Sequence, residues 1–136
     1  MAGLSSPGGS PRRSAGAAPN GDQSRRAHGA YGEALVARWY EARGLTVLDR
    51  NWRAGRAGEI DLVVGDDRLV VFCEVKARSS AMFGDALEAV TPAKQARLRR
   101  LGAAWLAGHP TDRRRDVRFD VAAVRAGKIE VVEAAF

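Results

Sequence analysis

From Ala30 to about Arg43, apolar side chains recur at helical spacing. Tyr31, Leu35, Trp39 and Ala42 make one stripe, widened by Val36 and Tyr40, and Gly44 ends the helix. Leu45 to Leu48 reads as a strand, and Asn51-Trp52-Arg53-Ala54-Gly55-Arg56-Ala57 as a basic loop. Two runs rich in β-branched residues follow, Gly58-Glu59-Ile60-Asp61-Leu62-Val63-Val64 and Val70-Val71-Phe72-Cys73-Glu74-Val75-Lys76. A turn at Gly65-Asp66-Asp67-Arg68 makes them a hairpin. Thr91-Pro92 starts a second helix, with Thr as N-cap and Pro at the first position. It runs to about Ala107 on a stripe of Leu98, Leu101 and Trp105, and Gly108 and Pro110 stop it. Val117 to Val124 alternates as a strand, and Ala126-Gly127 turns it into a last strand, Lys128 to Val132. The expected order is α-β-β-β-α-β-β.

The hairpin carries acids where a buried strand should be apolar. Side chains alternate along a strand, so Glu59, Asp61 and Val63 share one face, and Ile60, Leu62 and Val64 the other. Val70, Phe72, Glu74 and Lys76 likewise oppose Leu69, Val71, Cys73 and Val75. With the four-residue turn, Val64 faces Leu69, Asp61 faces Phe72, and Glu59 faces Glu74. Asp61 and Glu74 are then diagonal neighbours with main chains roughly 7–8 Å apart. Side chains of that length can converge on one divalent ion, at oxygen–metal distances of about 2.0–2.1 Å for magnesium. The other reading is a solvated face of ion-pairing residues. Asp61 tips the balance, because Asp is depleted in strand interiors.

Other charges admit two readings each. Glu33 lies on the side of Val36, Ala37 and Tyr40, either as a first-turn acid favoured by the helix dipole or as a group aimed at a site. Arg53 and Arg56 are solvated loop residues or phosphate contacts. Lys94 sits one turn before Leu98 on the buried stripe, where a first-turn cation is mildly unfavourable. Arg97, Arg99 and Arg100 read by default as a solvated helix surface. Asp120 reads as structural, being unaccompanied by a second acid, and His28 and His109 as surface residues without metal-ligand spacing.

Composition narrows the partners. The 136 residues suffice for one domain, with residues 1–27 a Gly-, Ser-, Pro-, Ala- and Arg-rich extension expected to be disordered and residues 28–136 folded. Of the net charge of +6, Arg12, Arg13, Arg25 and Arg26 against Asp22 place +3 in the extension and leave +3 for the domain. Only Lys76, Lys94 and Lys128 among the 22 basic residues are lysine, so arginine, the bidentate phosphate binder, dominates. A polyanionic partner fits that charge. The single cysteine, Cys73, excludes an intramolecular disulfide and reads as a buried structural thiol. No apolar run reaches the roughly 18 residues of a membrane span, and the amino terminus lacks a signal peptide's apolar region. A cytoplasmic location without membrane contact is expected. There is no Gly-rich phosphate loop, Cys/His zinc cluster or nucleophile elbow.

Glu33 on the first helix, Asp61 on the second strand and Glu74-Val75-Lys76 on the third resemble the restriction-endonuclease-like superfamily with its PD-(D/E)xK signature. Its Holliday-junction resolvases often add a helix-one glutamate. Ile60 stands where the signature has proline. Residues 29–136 are more closely similar to the YraN family of uncharacterised bacterial proteins. The matching pieces are Gly29-x-x-Gly32-Glu33, Asn51-x-Arg53, Gly58-Glu59-Ile60-Asp61-Leu62, Phe72-x-Glu74-Val75-Lys76-x-Arg78, Phe83-Gly84, Ala89-Val90 with Lys94, Arg97-Leu98, and Arg118-Phe119-Asp120-Val121. The resemblance implies an α/β fold, a mixed central sheet flanked by helices. It implies a metal-dependent endonuclease acting on DNA, branched or otherwise structured. Asp61, Glu74 and Glu33 would hold Mg²⁺ or Mn²⁺, with Lys76 completing the catalytic set. Arg53, Arg56, Arg78, Lys94 and Arg97 are the expected nucleic-acid contacts, and a symmetric homodimer is the expected assembly. The alternative is a non-catalytic nucleic-acid-binding or adaptor module that keeps the nuclease fold.

Overall fold

A computed structural model describes residues 21–77 and 90–136, with side chains from Gly29 onward. Helix α1 (Gly21–Glu41) leads into three strands, β1 (Thr46–Arg53), β2 (Glu59–Gly65) and β3 (Leu69–Ala77). Helix α2 (Pro92–Gly108) and strands β4 (Asp116–Arg125) and β5 (Lys128–Val132) complete the anticipated order. The five strands form one sheet in the order β1-β2-β3-β4-β5, antiparallel except for the parallel β3–β4 pair.

The helices cover opposite faces of this mixed sheet. Val36, Ala37 and Tyr40 of α1 pack on Leu62, Val64, Val71, Cys73, Ala122 and Val124. On the other face, Leu98, Leu101 and Trp105 of α2 pack on Ile60, Val63, Val70, Phe72 and Val121. The predicted α2 stripe is therefore the buried one, and the Thr91 hydroxyl caps the helix by accepting the Lys94 N–H at 3.2 Å. Gly102 lets α2 settle closely on the sheet: a Cβ there would stand 3.0 Å from the Phe119 ring and 3.1 Å from that of Phe72.

The structure corrects four details. Helix α1 begins at Gly21 rather than Ala30, so it takes in part of the expected extension. Its buried stripe is rotated from the anticipated one: Val36, Ala37 and Tyr40 are buried, whereas Tyr31 is 58% exposed and Ala42 is exposed. Strand β1 continues to Arg53, so Asn51, Trp52 and Arg53 belong to the sheet and only the segment after them is loop. A register irregularity lies between Val47 and Asp49, and pairing with β2 continues past it to Arg53–Glu59.

The fourth correction concerns the hairpin. Gly65 pairs with Val70, and Leu62 with Cys73, so the turn shifts one residue along the chain, with Gly65–Val70 rather than Val64–Leu69 as the closing pair. Asp66 is the cause. Its Oδ1 accepts the N–H groups of Arg68 at 2.7 Å and Leu69 at 2.9 Å, closing the turn from within. Gly65 then stays in the strand, where the Leu69 carbonyl leaves no room for a side chain. The register moves by two residues, so the β3 faces survive, but neither Asp61–Phe72 nor Glu59–Glu74 is a facing pair.

Candidate carboxylate–lysine site

Beyond Leu62–Cys73 the β2–β3 ladder ends, and Asp61 lies one step past that last pair, level with Glu74. Its carboxylate takes over a main-chain partner: Asp61 Oδ2 accepts the Val75 N–H at 2.9 Å. The regular alternation of β2 is broken here, because Ile60 packs on the α2 side with Val63 rather than with Leu62. An Asp inside a strand is thereby satisfied without an exposed face.

Glu74 is 7% exposed and receives two ammonium groups on one oxygen. Lys94 Nζ from α2 lies 2.7 Å from Oε2, and Lys76 Nζ, two residues along the same strand, lies 3.0 Å from it. Lys76 shares the Phe72–Glu74 face, as the alternation predicts. Lys94 arrives there because the Thr91 cap fixes the start of α2 directly over that face.

The charges disturb one another. Burial, and then the neighbouring Glu74, push the Asp61 carboxyl up to about 8. Burial would raise Glu74 too, but its bonds with Lys94 and Lys76 outweigh it and hold the carboxyl below its usual value. Burial and the adjacent Lys94 lower the Lys76 ammonium. Burial opposes the charge on Lys94, yet its bond to Glu74 raises that ammonium.

Glu33 approaches from the helix layer, where the preceding Gly32 rests against Ala77 and Val124. Its Oε1 accepts from Asn51 Nδ2 at 3.0 Å. Burial raises its carboxyl despite that bond, and Glu59 and Glu74 add to the rise. Asn51, which sequence reasoning left in a loop, holds a left-handed backbone (φ 47°) in β1 and so turns its amide toward Glu33. The signal was its residue type: Asn tolerates that conformation better than most residues. Among the described residues no group of three or more His, Cys, Asp or Glu side chains stands within common metal-binding reach.

The expected nucleic-acid contacts divide. Lys94 joins the site. Arg97 flanks it, its side chain lying beside Gly58 just before β2. Arg53 pairs with Glu59 at 3.3 Å while remaining 68% exposed, which accounts for Glu59 as a partner of arginine rather than of Glu74. Arg56 is exposed in the β1–β2 loop. Arg78 and Phe83-Gly84 lie outside the described residues.

Asp120 is structural, as anticipated, and is fully buried. It accepts from Tyr40 Oη at 2.6 Å, from Arg118 Nε and Nη2 at 2.9 and 3.0 Å, and from the Ala134 N–H at 3.0 Å. That network ties α1, β4 and the carboxy-terminal segment together behind Cys73, which is buried as expected.

Comparison with known proteins points one way. The family profile described as "Uncharacterised protein family UPF0102" matches residues 32–124. A UPF0102 protein of Beutenbergia cavernae is 54% identical over 112 residues, covering 80% of this chain and 93% of its own. One from Kineococcus radiotolerans is 54% identical over 102 residues, 75% of this chain and 83% of its own. A Streptomyces coelicolor relative is 48% identical over 101 residues, 74% of this chain and 78% of its own.

Proposed function

This chain belongs to the uncharacterised protein family UPF0102, and we propose that it hydrolyses phosphodiester bonds of DNA, branched or otherwise structured, with a divalent metal ion. One observation carries the reading: Asp61 and Glu74 lie side by side where two strands part, with Lys76 and Lys94 against Glu74. Paired carboxylates flanked by ammonium groups suit a centre that takes up a cation and then a phosphate.

The residues fit such an ion. Asp61 uses Oδ2 for Val75, and Glu74 uses Oε2 for the lysines, so each has a further oxygen outside those bonds. Magnesium keeps several waters and is commonly held by one or two carboxylates. Bound there, Mg²⁺ or Mn²⁺ would supply Lewis-acid stabilisation of a scissile phosphate and a water of lowered pKa. Glu33, steadied by Asn51, would orient water at the rim. Lys94 would neutralise charge gathering on the phosphate. Lys76, with its lowered ammonium pKa, would hold or pass a proton at Nζ. Arg53, Arg56 and Arg97 would bind flanking phosphates, and Arg78 follows the same strand in sequence. Two such sites in a symmetric homodimer would suit a branched substrate with two strands to cut.

The test offers the protein linear, single-stranded and four-way-junction DNA with Mg²⁺ or Mn²⁺. Cleavage that disappears with chelator and with Glu74→Ala supports the reading; no cleavage of any substrate, or undiminished cutting by Glu74→Ala, sinks it. The doubly paired Glu74 favours a second reading, a nucleic-acid-binding module in which the lysines close an ion-pair cluster. Salt-sensitive DNA binding without metal-dependent cleavage would select that one.

A further inference from the structure

We propose that Trp52 and His109 form a stacking corner for an unpaired nucleobase of a DNA strand. This rests on the reading above and sharpens its substrate class, to DNA with unpaired bases a few nucleotides from the phosphate that enters the Asp61–Glu74 site.

His109 caps the C-terminus of α2, and its ring lies flat on that of Trp105, with centroids 4.0 Å apart and planes 11° apart. Trp105 is 2% exposed, and its Nε1 donates to Asp49 Oδ2 at 3.1 Å. The His109 ring is held at Nδ1, which is 2.7 Å from the Trp105 carbonyl oxygen, while Nε2 lies 3.9 Å from Asp49 Oδ2, beyond hydrogen-bonding distance. One face is thus covered and the ring is fixed, yet the side chain stays 41% exposed. Its open surface therefore lies off the face that Trp105 covers.

Trp52 stands against that ring from β1, with centroids 6.5 Å apart and planes at 69°. The two rings make a corner rather than a closed stack. Helix capping accounts for the Nδ1 contact alone; it requires neither an exposed ring locked in plane nor a second aromatic wall beside it. A base that slides onto a ring already immobilised loses little further protein entropy.

The corner lies at the other end of α2 from Lys94, roughly 22 Å along the helix, a distance that a few nucleotides of single strand can bridge. Trp52 pairs with Ile60, the residue before Asp61. Arg53 follows Trp52, 68% exposed, and Arg97 lies over Gly58 on the same side chain ladder of α2 that continues through Leu101 and Trp105 to His109. Aromatic faces with flanking cations are the chemistry that binds single strands, because stacking accepts any base and the cations follow the backbone. Bases within a duplex already have both faces covered, so unpaired ones are selected.

The experiment measures binding of a labelled single strand of about twelve nucleotides, within the usual span of single-strand sites, by fluorescence anisotropy at low salt with EDTA. The same strand carrying abasic positions, and a duplex of the same sequence, are the comparisons. For the parent protein, loss of bases should weaken binding about tenfold, the scale of one base–aromatic stack. His109→Ala and Trp52→Ala should each bind the intact strand about tenfold more weakly, His109→Phe should retain affinity, and duplex binding should not follow these changes. The abasic comparison needs no variant and so does not depend on how the variants fold. Equal affinity for intact and abasic strands, undiminished binding by folded His109→Ala, or no affinity for the strand overturns the proposal. Because EDTA removes metal chemistry, stacking by a protein that cuts nothing would overturn the hydrolytic reading and leave the corner standing; metal-dependent cutting with no effect of abasic positions would do the reverse.

Discussion

The Asp61 carboxylate accepts the N–H of Val75 at 2.9 Å, standing in for a strand partner where β2 and β3 stop pairing. One side chain thus does two things: it satisfies the parted backbone, and it brings a second carboxyl level with Glu74. The stability of the sheet and the candidate site therefore meet in the same side chain.

That arrangement makes metal-free stability depend on pH. Burial and Glu74 raise the Asp61 carboxyl from an ordinary 3.8 to about 8. Between those values the folded protein holds a proton that the unfolded chain has released, so this group's contribution is full below about 4 and is lost as pH rises to about 8. Asp61→Asn, which keeps an acceptor for Val75, should remove that decline. With EDTA present, urea midpoints of parent and variant should draw apart in the variant's favour between pH 5 and pH 8.5, on the order of 1 kcal/mol or more per unit of the window traversed. A pH-independent difference would show that Asp61 titrates normally.

The Asp120 network should carry much of the stability on the α1 face. Its carboxylate is fully buried and accepts from Tyr40, Arg118 and Ala134. Tyr40→Phe deletes one bond and leaves a buried acceptor, a loss of about 1–3 kcal/mol. Asp120→Ala strands the partly buried Arg118 guanidinium as well and should cost about 3–5 kcal/mol. Urea unfolding of both variants checks the order, and equal losses would contradict a network centred on Asp120.

Much of this fold was legible because local chemistry and tertiary packing agree. The Thr91-Pro92 start, the Leu98–Leu101–Trp105 stripe, the Ala126-Gly127 turn and the two faces of β3 all follow from spacing and residue type. The candidate cluster was legible in its membership, since Asp61 is out of place in a strand unless something occupies it. Its geometry was not. The hairpin register turned on the Asp66 side chain bonding to Arg68 and Leu69, a choice that residue types alone leave undecided. Helix α1 turned its stripe because Tyr40 must reach Asp120, eighty positions away. Asn51 carried only its residue type as a signal, and Trp52 and His109 carried none; their placements arise from a longer β1 and from the end of α2 meeting it.

Gly102 should resist replacement where Gly29 does not. A Cβ at Gly102 would press on the Phe72 and Phe119 rings, whereas one at Gly29 meets nothing within 4 Å. Gly102→Ala should lose about 1–3 kcal/mol to overpacking. Gly29→Ala, in the same kind of secondary structure, should gain roughly 0.5–1 kcal/mol. Thermal unfolding of the two variants makes the comparison, and a stabilising Gly102→Ala would mean that the helix stands further from the sheet.

Cys73 should be silent toward thiol reagents in the folded protein. It is 1% exposed, and burial pushes its thiol well above the ordinary range, so thiolate is scarce. At pH 8, iodoacetamide should leave it unmodified until urea unfolds the chain. Rapid labelling of native protein, followed by mass spectrometry, would show that β3 opens far more readily than its packing implies.

Lys94 and a divalent cation should compete for Glu74. The ammonium lies 2.7 Å from Oε2 and raises its own pKa through that contact while lowering the carboxyl's. Removing it with Lys94→Met takes one positive charge away from the position a metal ion would approach. Two unit charges 4 Å apart interact by about 4 kcal/mol at an effective dielectric near 20, so even a third of that is roughly tenfold in affinity. Calorimetric titration with Mn²⁺ should therefore show about tenfold tighter binding by Lys94→Met, lost again when Glu74→Gln is added. If cleavage is found, the same variant should cut more slowly despite holding metal more tightly, because the charge that meets the phosphate is gone. Unchanged Mn²⁺ affinity would place the ion away from Glu74 and assign the lysines to the sheet rather than to the site.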